Sequence, residues 1–135
     1  MITIYKCHGA WMEHSGPLVC FIGPEEILDH LSKESVIGII HTYPENDMAL
    51  LDKIIRNVDC LAIWSKEIPS ALEAVTLGTA LSQKIQIVLG GNNMDLFYAA
   101  SVYKPYLQHY GKQKEFVASL EKRMNEYMLP YKDTI

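Results

Sequence analysis

The chain has 135 residues, of which 49% are hydrophobic and 21% charged, and its 12 basic and 16 acidic side chains leave a net charge of −4. This composition predicts one globular domain over residues 1–135, and the lack of a basic stripe excludes a protein that coats nucleic acid. The longest apolar runs, of about five residues, fall well short of the ~20 that a membrane-spanning helix needs, which excludes a membrane protein.

Short apolar runs predict the strands of a sheet. In chain order they are Ile2–Cys7, Leu18–Ile22, Val36–His41, Cys60–Ser65 and Ile85–Leu89. The last three are almost continuously apolar, which is typical of parallel strands that are covered on both faces. Residues 10–17 are too few for a crossover helix, so we expect Leu18–Ile22 either to form an antiparallel hairpin or to lie outside the main sheet.

Amphipathic segments between these runs predict helices. They are Glu25–Ser32, a helix carrying Met48, Leu51, Ile54 and Ile55, Ala71–Gln83, a helix carrying Leu96, Phe97 and Ala100, and a last helix from about Lys112 to Met128. Ser70 and Glu73 have the spacing of a capping box. Alternating strands and helices predict a single α/β domain, with an open, mostly parallel, flavodoxin-like sheet of about five strands and helices on both faces.

The cysteines and histidines form no metal-binding or redox pattern. Cys7, Cys20 and Cys60 contain no C-x-x-C pair, and two of them lie in apolar runs, so we expect free thiols in a reducing cytoplasm. No basic stretch precedes an apolar one at the start of the chain, so we expect no secretion signal. The five histidines show no paired spacing, and we expect neither a metal nor a cofactor.

The carboxyl ends of the predicted strands are polar and contain glycine. They read Cys7-His8-Gly9, His41-Thr42-Tyr43, Ser65-Lys66-Glu67 and Gly90-Gly91-Asn92-Asn93. Ligands of such folds bind beyond these ends, so the sequence predicts a site for a polar ligand there. The sequence contains no Walker motif and no G-x-G-x-x-G, which disfavours a P-loop NTPase and a dinucleotide oxidoreductase.

Three segments resemble nucleoside 2-deoxyribosyltransferases. The run from Thr3 to Trp11 resembles the family's first strand and its glycine-containing loop, and Asn46-Asp47 with the segment Ile54–Trp64 resembles a helix followed by an apolar strand. The sharpest likeness is Thr76-Leu77-Gly78-Thr79-Ala80-Leu81-Ser82-Gln83, where the family carries Glu-Leu/Ile-Gly-x-Ala ahead of a strand. The likeness covers most of residues 1–100.

The resemblance implies covalent catalysis at an N-glycosidic bond. A glutamate attacks C1′ of a 2′-deoxyribonucleoside through an oxocarbenium-like transition state, the base leaves, and another base or water resolves the intermediate. Here Thr76 stands at the glutamate's position. Glu73, one helical turn earlier, is the candidate carboxylate. A second alignment, with Pro69 and Ser70 in place of the family's Gly-Thr, supports Glu73 as this carboxylate. The alternative is that Glu73 serves only as a member of the capping box.

The resemblance also implies the other residues of a site. Tyr5 orients the nucleophile, or else only packs in its strand. The substrate-binding candidates are His8, Gly9, Trp11, Asp47, Ser65, Glu67, Ser70, Thr76 and Asn92. Trp11 either stacks on a base or is a buried indole, and Asp47 either binds sugar hydroxyls or caps a helix.

Two functions from different classes follow, and both have a nucleoside or nucleotide as the small-molecule partner. The first is deoxyribosyl transfer or hydrolysis through Glu73. The second is an inactive relative that binds or sequesters a nucleotide-type metabolite, and a flavodoxin-like interaction module is a weaker third. The stripe Phe116, Leu120, Met124 and Met128 exceeds what so small a sheet can cover, and the family is oligomeric. We therefore expect a homodimer or larger assembly with the last two helices near the contact.

Overall fold

A computed structural model describes residues 3–5, 9–32, 37–42, 48–66, 70–83 and 85–132. The strands are β1 Thr3–Tyr5, β2 Leu18–Ile22, β3 Gly38–Thr42, β4 Cys60–Ser65, β5 Gln86–Gly91 and β6 His109–Tyr110. The helices are α1 Met48–Ile55, α2 Ala71–Gln83, α3 Asp95–Ser101 and α4 Gln113–Lys132, with 3₁₀ helices at Gly9–Glu13 and Glu25–His30. None of the helices in the described ranges is long and apolar enough to cross a membrane.

The strands form one parallel sheet in the order β1-β3-β2-β4-β5-β6. This confirms the predicted open α/β fold, with six strands rather than about five, because the two-residue β6 adds a further edge. Without the short β1, the order of the other five strands is the 2-1-3-4-5 order of flavodoxin-like folds.

The expectation for Leu18–Ile22 was wrong. β2 is central in the sheet and pairs in parallel with β3 on one side and with β4 on the other. It need not pair with β1, because β3 lies between them. The intervening residues 6–17 number about a dozen, the shortest length that allows a parallel crossover. A 3₁₀ helix takes the place of a longer helix, and its Trp11, 1% exposed, covers the sheet.

Each face of the sheet carries its own apolar core. Trp11, α1, α2 and α3 contribute to one core, and the second 3₁₀ helix and α4 contribute to the other. Every connection that steps towards β6 lies on the first face. The connection from β2 to β3 steps back towards β1 and lies on the second face, as uniformly right-handed crossovers require.

The described part of the apolar stripe of α4 packs against the sheet inside the domain. The expectation that the stripe exceeds what the sheet can cover was therefore wrong for these residues. Phe116, Leu120 and Met124 are at most 1% exposed. The Phe116 ring lies 5.4 Å from Trp64 in an edge-to-face contact and 6.3 Å from Phe21, centroid to centroid. The side chain of Met128 lies outside the described residues. The part of the stripe that is described therefore offers no spare surface to a second copy.

Asp59 joins the amino ends of three strands. Its carboxylate accepts a hydrogen bond from the Leu18 amide at 2.9 Å, and its own amide donates to the Leu18 carbonyl at 2.9 Å. The Gln86 amide donates to the Asp59 carbonyl at 3.1 Å. The side chain therefore replaces a missing backbone partner at the start of β2.

We expect Asp59→Ala to lower the free energy of unfolding by about 1–2 kcal/mol, because the buried Leu18 amide loses its acceptor. Asp59→Asn keeps an acceptor oxygen and should cost less. The control is Asp52→Ala, which removes an exposed ion pair with Arg56 and should cost about 0.5 kcal/mol or less. Urea unfolding of the three variants measures this, and equal losses for Asp59→Ala and Asp52→Ala would contradict it.

Candidate functional site

The topology favours a ligand-binding position at the carboxyl end of β2. The chain leaves β2 towards the α4 face, whereas it leaves the neighbouring strands β3 and β4 towards the opposite face. A point where neighbouring connections diverge in this way opens the sheet for ligands in parallel α/β folds. The candidate site therefore lies between Gly23, at the end of β2, and Ser65, at the end of β4.

His41 fixes the shape of this edge. The buried imidazole stacks on Phe21 at 5.3 Å, and its Nε2–H donates to the Gly23 carbonyl at 2.7 Å. Gly23 has a φ of 155°, and a Cβ there would collide with Phe21 and Trp64. The ends of β2 and β3 are thus held together with close packing. Sequence reasoning placed His41 at a strand end but gave it no role.

Gly91 and Ser65 join the ends of β5 and β4. Gly91 has a φ of 111°, and its backbone packs so closely on the Ser65 carbonyl that no side chain fits there. The Asn92 amide donates to that carbonyl at 3.1 Å. The predicted residues Ser65 and Asn92 therefore lie together at this edge, and the side chain of Asn92 is exposed.

Ser70 and Glu73 form the capping box that the sequence indicates. The Ser70 amide donates to the Glu73 carboxylate at 2.8 Å, and the Glu73 amide donates to the Ser70 hydroxyl at 3.2 Å. The Glu73 side chain is buried, and desolvation raises its pKa. Hydrogen bonds from Ser70 and Ser65 and the charge of Lys66 oppose that rise. Ser65, Ser70 and Glu73 are thus brought together at the start of α2.

Tyr5 is not brought to Glu73. Its hydroxyl shares a hydrogen bond with His14 Nδ1 at 3.1 Å, and the two rings make an edge-to-face contact. The strand register places Tyr5 level with Leu61, four residues before Ser65 and three strands away. These offsets correspond to about 13 Å along the strands and about 14 Å across them.

Thr76 and Trp11 lie away from this edge as well. Thr76 is 2% exposed and lines a groove of about 270 Å³ between α1 and α2, and its hydroxyl has no hydrogen-bond partner within the described ranges. Trp11 is a core side chain, which agrees with the alternative that it is a buried indole. Its Nε1–H also has no hydrogen-bond partner among the described residues. A ring buried in this way does not stack on a ligand base.

The remaining candidates are only partly accounted for. The backbone of Gly9 begins the first 3₁₀ helix, whereas His8, Asp47 and Glu67 lie outside the described residues. Among the described residues, no group of three potential ligands could hold a metal ion. Asn93, which the sequence places between the last predicted apolar strand and a helix, is buried, and its side chain accepts a hydrogen bond from the amide of Asp95, the first residue of α3, at 2.7 Å.

No protein-family model matches the chain, and no curated protein matches its sequence significantly. The resemblance to nucleoside deoxyribosyltransferases accordingly depends on the short motifs named above.

The raised pKa of Glu73 predicts a pH-dependent stability. The native state favours the protonated carboxyl. The resulting contribution of Glu73 to the free energy of unfolding is therefore present at acidic pH and is lost as the pH rises through the raised native pKa. Glu73→Gln keeps the capping-box geometry. The free energy of unfolding of the wild type minus that of Glu73→Gln should therefore be larger at pH 4.5 than at pH 7. Urea unfolding at both pH values checks this sign.

The exposed Glu26 provides a matched control, because Glu26→Gln should show no comparable pH-dependent difference. Glu73→Ala removes the cap oxygen altogether and should cost about 1 kcal/mol at pH 7. A stability difference between wild type and Glu73→Gln that stays constant with pH would contradict the burial argument.

Proposed function

We propose that the chain binds a nucleoside or nucleotide at the carboxyl ends of β2 and β4. The observation that carries this proposal is the divergence of the connections that follow β2 and its two neighbours. In the flavodoxin-like strand order, this is the position where nucleotide-type ligands bind. The motifs that resemble nucleoside deoxyribosyltransferases supply the ligand class.

The groups at this edge suit the sugar part of such a ligand. The exposed side-chain amide of Asn92 can donate and accept hydrogen bonds, and the buried Ser65 hydroxyl, which donates to the Lys66 carbonyl at 3.3 Å, can accept one. The Glu73 carboxylate can accept from a sugar hydroxyl, and Lys66 adds a positive charge beside it. Gly23 and Gly91 have no side chain, which lets Phe21, Trp64 and Ser65 pack closely against the backbone at this edge.

The contacts of Glu73 favour binding over nucleophilic catalysis. A nucleophilic carboxylate must be ionised and free to move onto C1′, whereas Glu73 is buried, hydrogen-bonded at the helix start and raised in pKa. Thr76 faces the groove between α1 and α2 instead. We therefore place an inactive, nucleotide-binding relative first.

Binding is tested with the four 2′-deoxynucleosides, the four ribonucleosides and their 5′-monophosphates. A ligand that binds only the folded chain raises the Tm. Asn92→Ala should raise the Kd by about threefold to tenfold, because one hydrogen bond to the ligand is lost. Asn57→Ala, an exposed substitution at the opposite edge, is the control. The proposal fails if no compound raises the Tm, or if Asn57→Ala weakens binding equally.

N-glycosidic cleavage is the second candidate. Desolvation shifts Glu73 towards its protonated form, and that is the form in which a carboxyl can act as a general acid towards a leaving base. To test cleavage, the chain is incubated with the same deoxynucleosides and the released base is measured by chromatography. If cleavage occurs, Glu73→Gln should slow it by several orders of magnitude while the fold persists. If the wild type binds but releases no base, only the binding function stands.

A homo-oligomer remains part of the proposal on the strength of the resemblance. Light scattering at micromolar concentration should then give a mass at least twice that of one chain, and a monomeric mass would count against it.

A further inference from the structure

An exposed aromatic surface lies at the amino edge of the sheet, opposite the candidate site. Between α3 and β6, Val102 is 78% exposed, Tyr103 74% and Tyr106 94%. These residues, with Lys104 and Arg123, are called the tyrosine surface below. It borders a groove of about 350 Å³ beside the first residue of β5, Gln86. The length of β5 separates it from the candidate site by about 17 Å.

The exposed tyrosines are held in fixed turns. The amides of Tyr103 and Lys104 both donate to the Ala100 carbonyl at 3.0 Å, and the Leu107 amide donates to the Lys104 carbonyl at 3.0 Å. Lys104 Nζ donates to the Ile85 carbonyl at 2.6 Å, which ties the segment to the start of β5. A surface ordered before binding loses less conformational entropy when a partner docks.

Two cations, Lys104 and Arg123, accompany these rings. Arg123 donates to the Ser119 hydroxyl and to the Gln86 side chain, each at 3.3 Å. Among the described residues, neither Arg123 nor Lys104 pairs with a carboxylate. Burial lowers the pKa of Lys104, and the like charge of Arg123 lowers it further. The groove thus carries uncompensated positive charge on a chain whose net charge is −4.

We propose that the tyrosine surface docks an acidic segment of a partner protein, with carboxylates at Lys104 and Arg123 and apolar side chains against Tyr103 and Tyr106. Tyrosine and arginine are the residue types that contribute most binding energy at protein interfaces. Charge complementarity selects the partner, because carboxylates supply the charge that the groove lacks.

Two other occupants fit less well. A two-fold contact between copies of this chain would bring Lys104 and Arg123 towards their own counterparts, and like charges oppose such an interface. Nucleic acid would also meet the rings and cations, but the overall negative charge opposes approach of a polyanion.

The test uses a short fluorescein-labelled peptide of alternating glutamate and leucine, with fluorescence anisotropy as the readout. The intact chain should bind it saturably, and added salt should weaken binding. The double variant Lys104→Gln/Arg123→Gln should raise the Kd about tenfold or more, because charge-assisted contacts are lost. Tyr106→Ala should raise it by about threefold or more, and this exposed side chain supports no other part of the fold.

A matched control removes two charges elsewhere. Lys114→Gln/Lys122→Gln removes two exposed charges of α4 and should leave the Kd unchanged. A glutamine–leucine peptide should bind more weakly than the glutamate peptide. The proposal is overturned if the wild type shows no saturable binding, if the control variant loses as much affinity, or if an oligo(dT) strand binds more tightly at the same residues.

Discussion

The handedness of the crossovers is the constraint on which the architecture depends. Right-handed connections require a chain that reverses its direction across the sheet to change face. The chain reverses after β2, since β3 lies on the β1 side and β4 on the other side. The second 3₁₀ helix is therefore placed with α4 on one face, and the three helices α1, α2 and α3 share the other face with Trp11. One reversal thus determines both cores and the position of the candidate site.

Glu73 shows how one side chain can satisfy a structural need at the expense of reactivity. Its carboxylate satisfies the Ser70 amide at the start of α2, where the first amides of a helix lack backbone partners. The same burial raises its pKa and holds the group in place. Both effects lower its competence as a nucleophile.

The two edges of the sheet differ in chemistry. The carboxyl edge carries the buried Ser65 and Glu73 and the exposed Asn92. The amino edge presents Lys104, Arg123 and exposed tyrosines, which suits a larger acidic partner. Between them, β5 packs tightly through Gly90 and Gly91, where a side chain would collide with Tyr110 or Ser65.

The sequence by itself determined the local elements. It predicted Leu18–Ile22, Cys60–Ser65 and Ala71–Gln83 with the bounds that the structure has, because apolar runs and a capping box act over a few residues. It also predicted the α/β class and the polar carboxyl edge. Only the tertiary structure decided which strands are neighbours. The hydrogen bond from the Leu18 amide to the Asp59 carboxylate joins residues 41 positions apart. No local sequence pattern specifies this contact. Because β2 rather than β1 is central, the candidate site lies at Gly23 and at Ser65, which the sequence had named, and Tyr5 and Trp11 lie away from it.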